Sequence, residues 1–398
     1  MSGEMFSSSV QNPSQPSLGR FDVVIVGAGI AGASLAYELA PELRVLLLEA
    51  ESQPGYHTTG RSAALFSEVY GNDTVRALSR ASRAFFDAPG EGFAEHALLT
   101  PRGTLFFAGA DALAQLHALR TEVAPRAPAL RWIEGAALLA QLPALRPEAA
   151  QAGLFEPDAC DIDVHALQQG YLRGARRRGA TVLCDARVES AHYGDASWTL
   201  QTGAGHCNAS LLVNAAGAWA DELAALCGVA PLGLTPLRRT ALVFEDEQAW
   251  DSRHWPLTVE IGEQLYFKPD AGRLLASPAD ETPSAACDAQ PDEFDLAVLL
   301  DRLERLTLLR PRRITGRWAG LRTFALDRTP LAGFDAHAPH FFWLAGQGGY
   351  GIQTAPALAQ LSASLILDKT VPEGLAAQGV RAQNLSAGRF CLASSMEI

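Results

Sequence analysis

The stretch that most constrains what this chain can fold into is Phe21 to Ala50, FDVVIVGAGIAGASLAYELAPELRVLLLEA. Val23 to Val26 is a short β-branched run of the length expected for a buried parallel strand. It leads into Gly27, Gly29 and Gly32 at G-x-G-x-x-G spacing, with Ile30 and Ala31 leaving the turn. A helical pattern follows (Ala33, Leu35, Ala36, Leu39), then a second apolar run, Val45 to Leu48, and an acid, Glu49, before Ala50. The first glycine makes the turn, the second lets backbone approach a pyrophosphate, and the third lets helix pack closely on strand. The helix N-terminus offers free N–H groups and a positive dipole end to phosphates. Glu49, at the tip of the second strand, can accept hydrogen bonds from a ribose. Glycine spacing alone is a weak signal. Strand, turn, helix, strand and acid in that order predict a dinucleotide site.

At 398 residues the chain has room for two domains with substantial cores. A net charge of -12 argues against a nucleic-acid partner. Two basic clusters stand out against it: Arg173 to Arg178, on a predicted helix and read as a solvated face, and Arg310 to Arg317, left open. The six cysteines (160, 184, 207, 227, 287 and 391) form no C-x-x-C pair and fit a reducing compartment. No apolar run is long enough to span a membrane, about 18 residues or more. A cytoplasmic location is therefore expected, with peripheral contact at an inner membrane left open. Residues 1–20, rich in Ser, Gln and Pro, read as a disordered tail, and 386–398 as a C-terminal tail.

After Glu49 come small and hydroxyl residues, Thr58, Thr59, Gly60, Ser62 and Ala64, placed to follow a diphosphate toward a cofactor ring. Asn72 to Asp87 has helical spacing with Asn72 or Asp73 as its cap. Strands are expected at Thr104–Phe107, Thr181–Cys184, Val188–Tyr193, Trp198–Gln201 and Leu211–Val213. The last feeds a small-residue turn, Asn214-Ala-Ala-Gly-Ala-Trp219, in which Ala216, Gly217 and Trp219 can pass close to a cofactor. Asp158 to His165 has the look of a metal site, but aspartates ahead of an amphipathic helix do capping and dipole work without one; no metal is expected. Residues 230–324 have β texture around a helix at Phe294–Leu308. Phe341–Ala345 then reads as a strand running into Gly346-Gln-Gly-Gly-Tyr-Gly351. The helix that follows, about Ile352 to Ile366, is expected to carry Pro356 in its first turn. Such a turn is a further anion site.

Taken together, VVIVGAGIAGAS, QPGYHTTGRSAA, RASRAFFD, DIDVHALQQGYLRGARR, LVNAAGAWAD, Arg238-Arg239, YFKPDAGRLLASPAD, WAGLRTF and GQGGYGIQT resemble one family. The chain is similar to the D-amino-acid oxidase superfamily of FAD-dependent oxidoreductases, most of all to bacterial D-arginine dehydrogenases, from about Asp22 to Ile366. The resemblance implies an α/β fold: a Rossmann-like FAD domain of glutathione-reductase type (21–95, 161–230 and 325–385) and an α+β, sheet-based substrate domain (96–160 and 231–324). It implies non-covalent FAD, held by the residues above with Val188, Gly348, Gly349, Tyr350, Gly351, Ile352 and Gln353. It also implies oxidation of an α-amino acid to an imino acid, with hydride passing from Cα to flavin N5. Water then gives the 2-keto acid and ammonia, and no strong protein base is needed if the amine arrives neutral.

By the same resemblance Arg239 and Arg322 bind the substrate carboxylate, which suits the guanidinium fork. Tyr70 and Tyr266 are active-site tyrosines, the Gly349 carbonyl holds the amine, and His57 stands on a loop by the flavin. The departures concern the side chain. Thr104 stands where the D-arginine enzymes have a glutamate, and Leu65 where they have a histidine; Ser67, Leu257 and Val259 complete a neutral pocket. Losing the countercharge makes a buried cation costly, so neutral D-amino acids are expected over D-arginine. Alternatives remain: an oxidase of glycine, sarcosine or another N-substituted amino acid; a non-catalytic protein binding FAD and a carboxylate; an NAD-dependent dehydrogenase. The last leaves the turns at 214–219 and 346–351 without a role. The electron acceptor (a quinone, another carrier or O2) and the oligomeric state stay open.

Overall fold

The computed structural model describes residues 16–390. The first strand, Ser17–Val26, lies at the centre of an eight-stranded sheet. It pairs in parallel with Val45–Leu48 on one side and Gly205–Asn214 on the other. Thr181–Leu183 adds a parallel strand beyond Val45–Leu48, and Phe341–Ala345 one beyond Gly205–Asn214. The apolar runs are continuous because both faces are covered. Val23, Ile25, Val45 and Leu47 face helices Ile30–Leu39, Val164–Arg177 and Gly351–Ile366. Val24, Leu46 and Leu48 face a second core with Trp198, Leu212, Phe341 and Trp343. The antiparallel strands Val188–Gly194 and Ser197–Thr202 extend this sheet beside Gly205–Asn214.

A nine-stranded sheet forms from the other stretches. Its long members, Thr235–Asp246 and Pro311–Phe324, pair antiparallel, and Tyr266–Asp270, Leu257–Glu260, Thr104–Ala108 and Ala152–Glu156 continue it. Leu105, Phe107, Leu242, Phe244 and Phe267 fill one face with helix Glu293–Leu306. The opposite face looks toward the first sheet. A small third sheet, Leu65–Phe66 with Cys160–Ile162 and Leu99–Pro101, lies at the junction.

Several expectations need correction. Ser17–Arg20 is strand, not tail: its residues pair with His206–Asn208, and Leu18 packs on the second core. Residues 1–15 lie outside the described residues. At the other end, 386–390 is also held: the Arg389 guanidinium pairs with Asp327 at 2.8 Å and donates to the Thr329 carbonyl at 2.7 Å. Residues 391–398 lie outside the described residues. Helix Gly351–Ile366 begins at Gly351, which puts Pro356 in its second turn. The cluster Arg173 to Arg178 does more than meet solvent, since Arg173, Arg177 and Arg178 donate to the carbonyls of Phe93, Gly92 and Tyr37. Arg310 to Arg317 opens the strand Pro311–Phe324, where Arg317 pairs with Glu293. Asp163 caps its helix by accepting from Ala166 N–H at 2.8 Å, and Asp161 holds Arg102 and Lys268, both at 2.7 Å. No helix is long and apolar enough to cross a membrane among the described residues.

Candidate active site

Three adjoining cavities lead from the glycine turn of the first sheet to the inner face of the second. The first surrounds the glycine turn. Gly27 has φ +104°, and a Cβ there would come within 2.3 Å of the Ala215 carbonyl oxygen, while one on Gly32 would come within 1.9 Å of the Gly27 oxygen. The turn therefore packs backbone on backbone, as a phosphate cradle needs. The Ile30 N–H donates to Thr59 Oγ1 at 3.0 Å. Glu49 accepts from the N–H groups of Ala28 (2.9 Å) and Glu51 (3.1 Å), so its carboxylate is fixed at the strand tip. Gly27, Gly29, Glu49, Ala50, Thr58, Thr59, Val188, Ala216, Gly217 and Trp219 share this cavity wall. His57 is there too, its ring 4.6 Å from Trp219 and its Nε2 3.0 Å from Glu51.

The second cavity continues past Gly29, Thr58 and Thr59 to Ile30, Ala31, Ser62, Gly348, Gly349, Gly351 and Ile352, and is roofed by Gly320 to Thr323. Two buried polar atoms on it, Gln347 Nε2 and Thr323 Oγ1, have no hydrogen-bond partner among the described residues. Buried donors and acceptors are rarely left orphaned. A ring system with amide-like edges in this slot would satisfy both. Gln168 belongs to the same pattern: its Nε2 donates to the Ala28 carbonyl at 2.7 Å, and its Oε1 is orphaned. The residues present therefore fit a flavin dinucleotide: phosphate cradle, ribose acid, ring slot.

The third cavity adjoins the slot and takes in Tyr70, Tyr266, Arg239, Arg322, Gly349, Leu65, Ser67, Thr104, Leu257, Val259, Ala64 and Gln353. The ladder explains how both arginines arrive there. Leu237 pairs with Arg322 and Arg239 with Gly320, so the two guanidinium stems share one face two residues apart. The neighbour Arg238 points to the other face and pairs with Asp295 at 2.7 Å. Arg239 is buried; it donates to the Asp280 carbonyl at 2.9 Å and pairs with Glu281 at 3.1 Å, a carboxylate it shares with Arg328. Arg322 differs. Burial acts against its charge and the tyrosines 266, 70 and 350 around it favour it; no carboxylate pairs with it among the described residues. Gly349 admits it: a Cβ there would lie 2.8 Å from Arg322 Nη1. Burial raises the Tyr70 and Tyr350 phenols above their ordinary range, so both are neutral hydrogen-bonding groups at pH 7.

The structure thus brings most of the expected residues to the three walls. Gly32, Gly60 and Tyr350 are not on them. Gly32 and Gly60 serve close backbone packing, a Cβ on Gly60 falling 2.6 Å from the Gly55 oxygen. Tyr350 packs behind Tyr70, ring centres 5.0 Å apart. Sequence reasoning missed Phe106 and Glu263 on the third wall and Gln347 and Thr323 on the second. Phe106 was legible from alternation with Thr104. Glu263, in a turn with φ +54°, carried no signal. No cysteine lines any of the three walls among the described residues.

Comparison with known proteins agrees with this geometry. Residues 22–365 match the family model described as FAD dependent oxidoreductase. Dimethylglycine dehydrogenase, mitochondrial, of Mus musculus is 25% identical over 379 residues, 89% of this chain and 43% of that protein. Monomeric sarcosine oxidase of Bacillus sp. (strain NS-129) is 27% identical over 265 residues, 62% of this chain and 65% of that protein. The chain thus matches less than two thirds of the length of either. The crystal structure of glycine oxidase from Geobacillus kaustophilus superposes with a TM-score of 0.76 at 22% identity, over 88% of this chain and 95% of that one. A phosphate cradle, a ring slot with orphaned donors and a family match over nearly the whole described chain converge: this protein belongs to the FAD dependent oxidoreductase family and takes FAD as its cofactor.

Proposed function

We propose that the protein oxidises the Cα–N bond of a neutral α-amino acid, in the D configuration, to an imino acid that hydrolyses to a 2-keto acid and ammonia. The observation that carries this is Arg322, a guanidinium walled in by tyrosines without a carboxylate partner among the described residues. A cation in such a place calls for an anion from outside. Arg239, oriented by Glu281, stands on the same face to complete a clamp for an α-carboxylate. In this reading the Tyr70 and Tyr266 hydroxyls, on the same cavity wall, donate to the carboxylate and the Gly349 carbonyl accepts from the amine. Non-covalent FAD, when bound in the slot, supplies the two-electron acceptor. The chain's own part is orientation and exclusion of water, which sets the Cα–H toward the ring slot. The wall beyond, Leu65, Phe106, Leu257 and Val259, is apolar and suits a neutral side chain. Glu263 is the acid on this wall, and its charge acts on Tyr70 as well as on Tyr350 and Arg328.

A second reading is favoured by the relatives, one named for sarcosine and one for dimethylglycine: an N-substituted amino acid bound by the same clamp. The acceptor that reoxidises the flavin, O2 or a carrier such as a quinone, follows from neither reading. Steady-state turnover of D-alanine, D-leucine, D-methionine, D-arginine and N-methylglycine, with peroxide measured in air, separates these. Faster turnover of D-arginine than of D-leucine or D-methionine contradicts the neutral pocket.

A further inference from the structure

The far end of the third cavity is a row across the second sheet. Leu257 pairs in register with Thr104, and Thr104 with Glu156 on the next strand. Residues opposite one another in a ladder project to the same face. Glu156 therefore projects on the side that Thr104 and Leu257 present to the cavity. Its buried carboxylate is met by two donors: Ser67 Oγ at 2.7 Å and the Glu68 N–H at 2.9 Å. No arginine, lysine or histidine forms an ion pair with it among the described residues. Ser67 is itself buried and lines the cavity. Thr104 is 1% exposed and its Oγ1 has no hydrogen-bond partner among the described residues. The stretch of wall formed by Leu65, Phe106, Leu257 and Val259 thus ends in a hydroxyl aligned by a buried acid, next to a hydroxyl left unsatisfied. An orphaned buried hydroxyl costs stability unless something outside the chain meets it.

We propose that Ser67 and Thr104, with Glu156 acting through Ser67 as a positioning residue, form a polar end to the cavity that selects substrates whose side chain carries a hydroxyl or amide over their apolar isosteres. The inference rests on the reading of this cavity as the side-chain pocket of a carboxylate-binding site. Ser67 directs its proton at Glu156 and accepts from the Val69 N–H at 3.4 Å, which leaves one lone pair for a donor on the ligand. Thr104 offers both a proton and lone pairs. A hydroxyl or primary amide satisfies the pair; a methyl group in the same place leaves Thr104 orphaned. A cation gains less, because Glu156 already accepts from two donors and burial favours its neutral form.

The test uses the FAD-loaded protein and carboxylates that lack an α-amino group, so nothing is oxidised. Pairs differing only in OH against CH3 are titrated and Kd is read from the flavin difference spectrum: 3-hydroxybutyrate with 3-methylbutyrate, 4-hydroxybutyrate with pentanoate, 5-hydroxypentanoate with hexanoate. Acetate, too short to reach Thr104, reports the arginine site alone. At least one hydroxy member should bind about five- to tenfold more tightly than its isostere, the worth of one or two satisfied hydrogen bonds. Ser67→Ala and Thr104→Val should each erase that ratio. Glu156→Gln, which keeps the shape but redirects the Ser67 proton, should lower it by at least about threefold, on the same hydrogen-bond scale. Isosteres binding as tightly as every hydroxy acid in the unmodified protein, with acetate still bound, would overturn this inference and leave the carboxylate clamp standing. Tighter binding of 4-aminobutyrate than of 4-hydroxybutyrate would overturn it too, making an acid at this cavity, Glu156 or Glu263, a countercharge. Failure of acetate and all the others to perturb the flavin would overturn the clamp as well.

Discussion

At the level of single residues, the arginines show what the linear order hides. Arg238 and Arg239 are neighbours, yet strand alternation sends one to a part-buried ion pair with Asp295 and the other to the cavity. Two basic residues in a row cannot say which is which; the register against Gly320 does. Arg322 was readable from its apolar neighbours, but the absence of a carboxylate partner among the described residues is a fact of three dimensions. Replacing it with Met should weaken acetate binding by roughly thirtyfold or more, since a charge-assisted hydrogen bond is worth about 2 kcal/mol. Titration of the flavin spectrum checks this. Glu156 yields a stability prediction. Burial raises its carboxyl to about 7, against the hydrogen bonds from Ser67 and Glu68 that lower it, while Glu68 and Asp158 add their own negative charge. A carboxyl raised in the folded state keeps its proton while the unfolded chain loses it. Stability should therefore fall as pH rises from about 4.5 to about 7 and level off above, by on the order of 3 kcal/mol from this group. Glu156→Gln should flatten that part of the curve in urea unfolding measured from pH 4.5 to 8.5.

At the level of elements, the strand–turn–helix unit was legible because each part is dictated locally: β-branched run, glycine spacing, acid at the strand tip. Gly27→Ala puts a Cβ into the Ala215 carbonyl at a positive φ. A strained backbone conformation of this kind costs about 1–3 kcal/mol, and the clash adds to it. The expected result is a lower Tm and FAD lost on gel filtration, measured by absorbance ratio. The strand Pro311–Phe324 was less legible. Its first half, with three arginines, is largely exposed and does not alternate, and it owes its β form to pairing with Thr235–Asp246 over twelve aligned positions. Ser17–Arg20 was misread for a similar reason: composition suggested a tail, whereas its pairing with His206–Asn208 is a long-range fact.

Across the whole molecule, the ring slot and the third cavity fall between two sheets that are joined by specific contacts. Thr58 Oγ1 donates to the Leu321 carbonyl at 2.7 Å, Arg61 to the carbonyls of Ala289 and Ala319 at 2.9 Å, and Trp318 Nε1 to the Arg61 carbonyl at 2.9 Å. The loop that follows the ribose acid is thus fastened to the roof of the ring slot. FAD bound between the sheets bridges both, so stripping it should lower Tm markedly. Adding it back at a hundred times its Kd should restore about 2.7 kcal/mol by mass action, read by thermal unfolding. That two sheets exist was visible in the alternation of textures along the chain. How their faces meet, and that Glu263 and Glu156 sit where they do, depends on register and turn geometry that no local pattern encodes. The central claim is that a carboxylate clamped by Arg239 and Arg322 presents a Cα–H to the flavin. Anaerobic mixing of the FAD-loaded protein with D- and L-amino acids, glycine and N-methylglycine, followed by flavin absorbance, tests it most directly. Rapid bleaching by neutral D-amino acids, slow or absent with D-arginine and lost in Arg322→Met, is the predicted result. Bleaching by none of them, or bleaching that survives the loss of Arg322 unchanged, would contradict it.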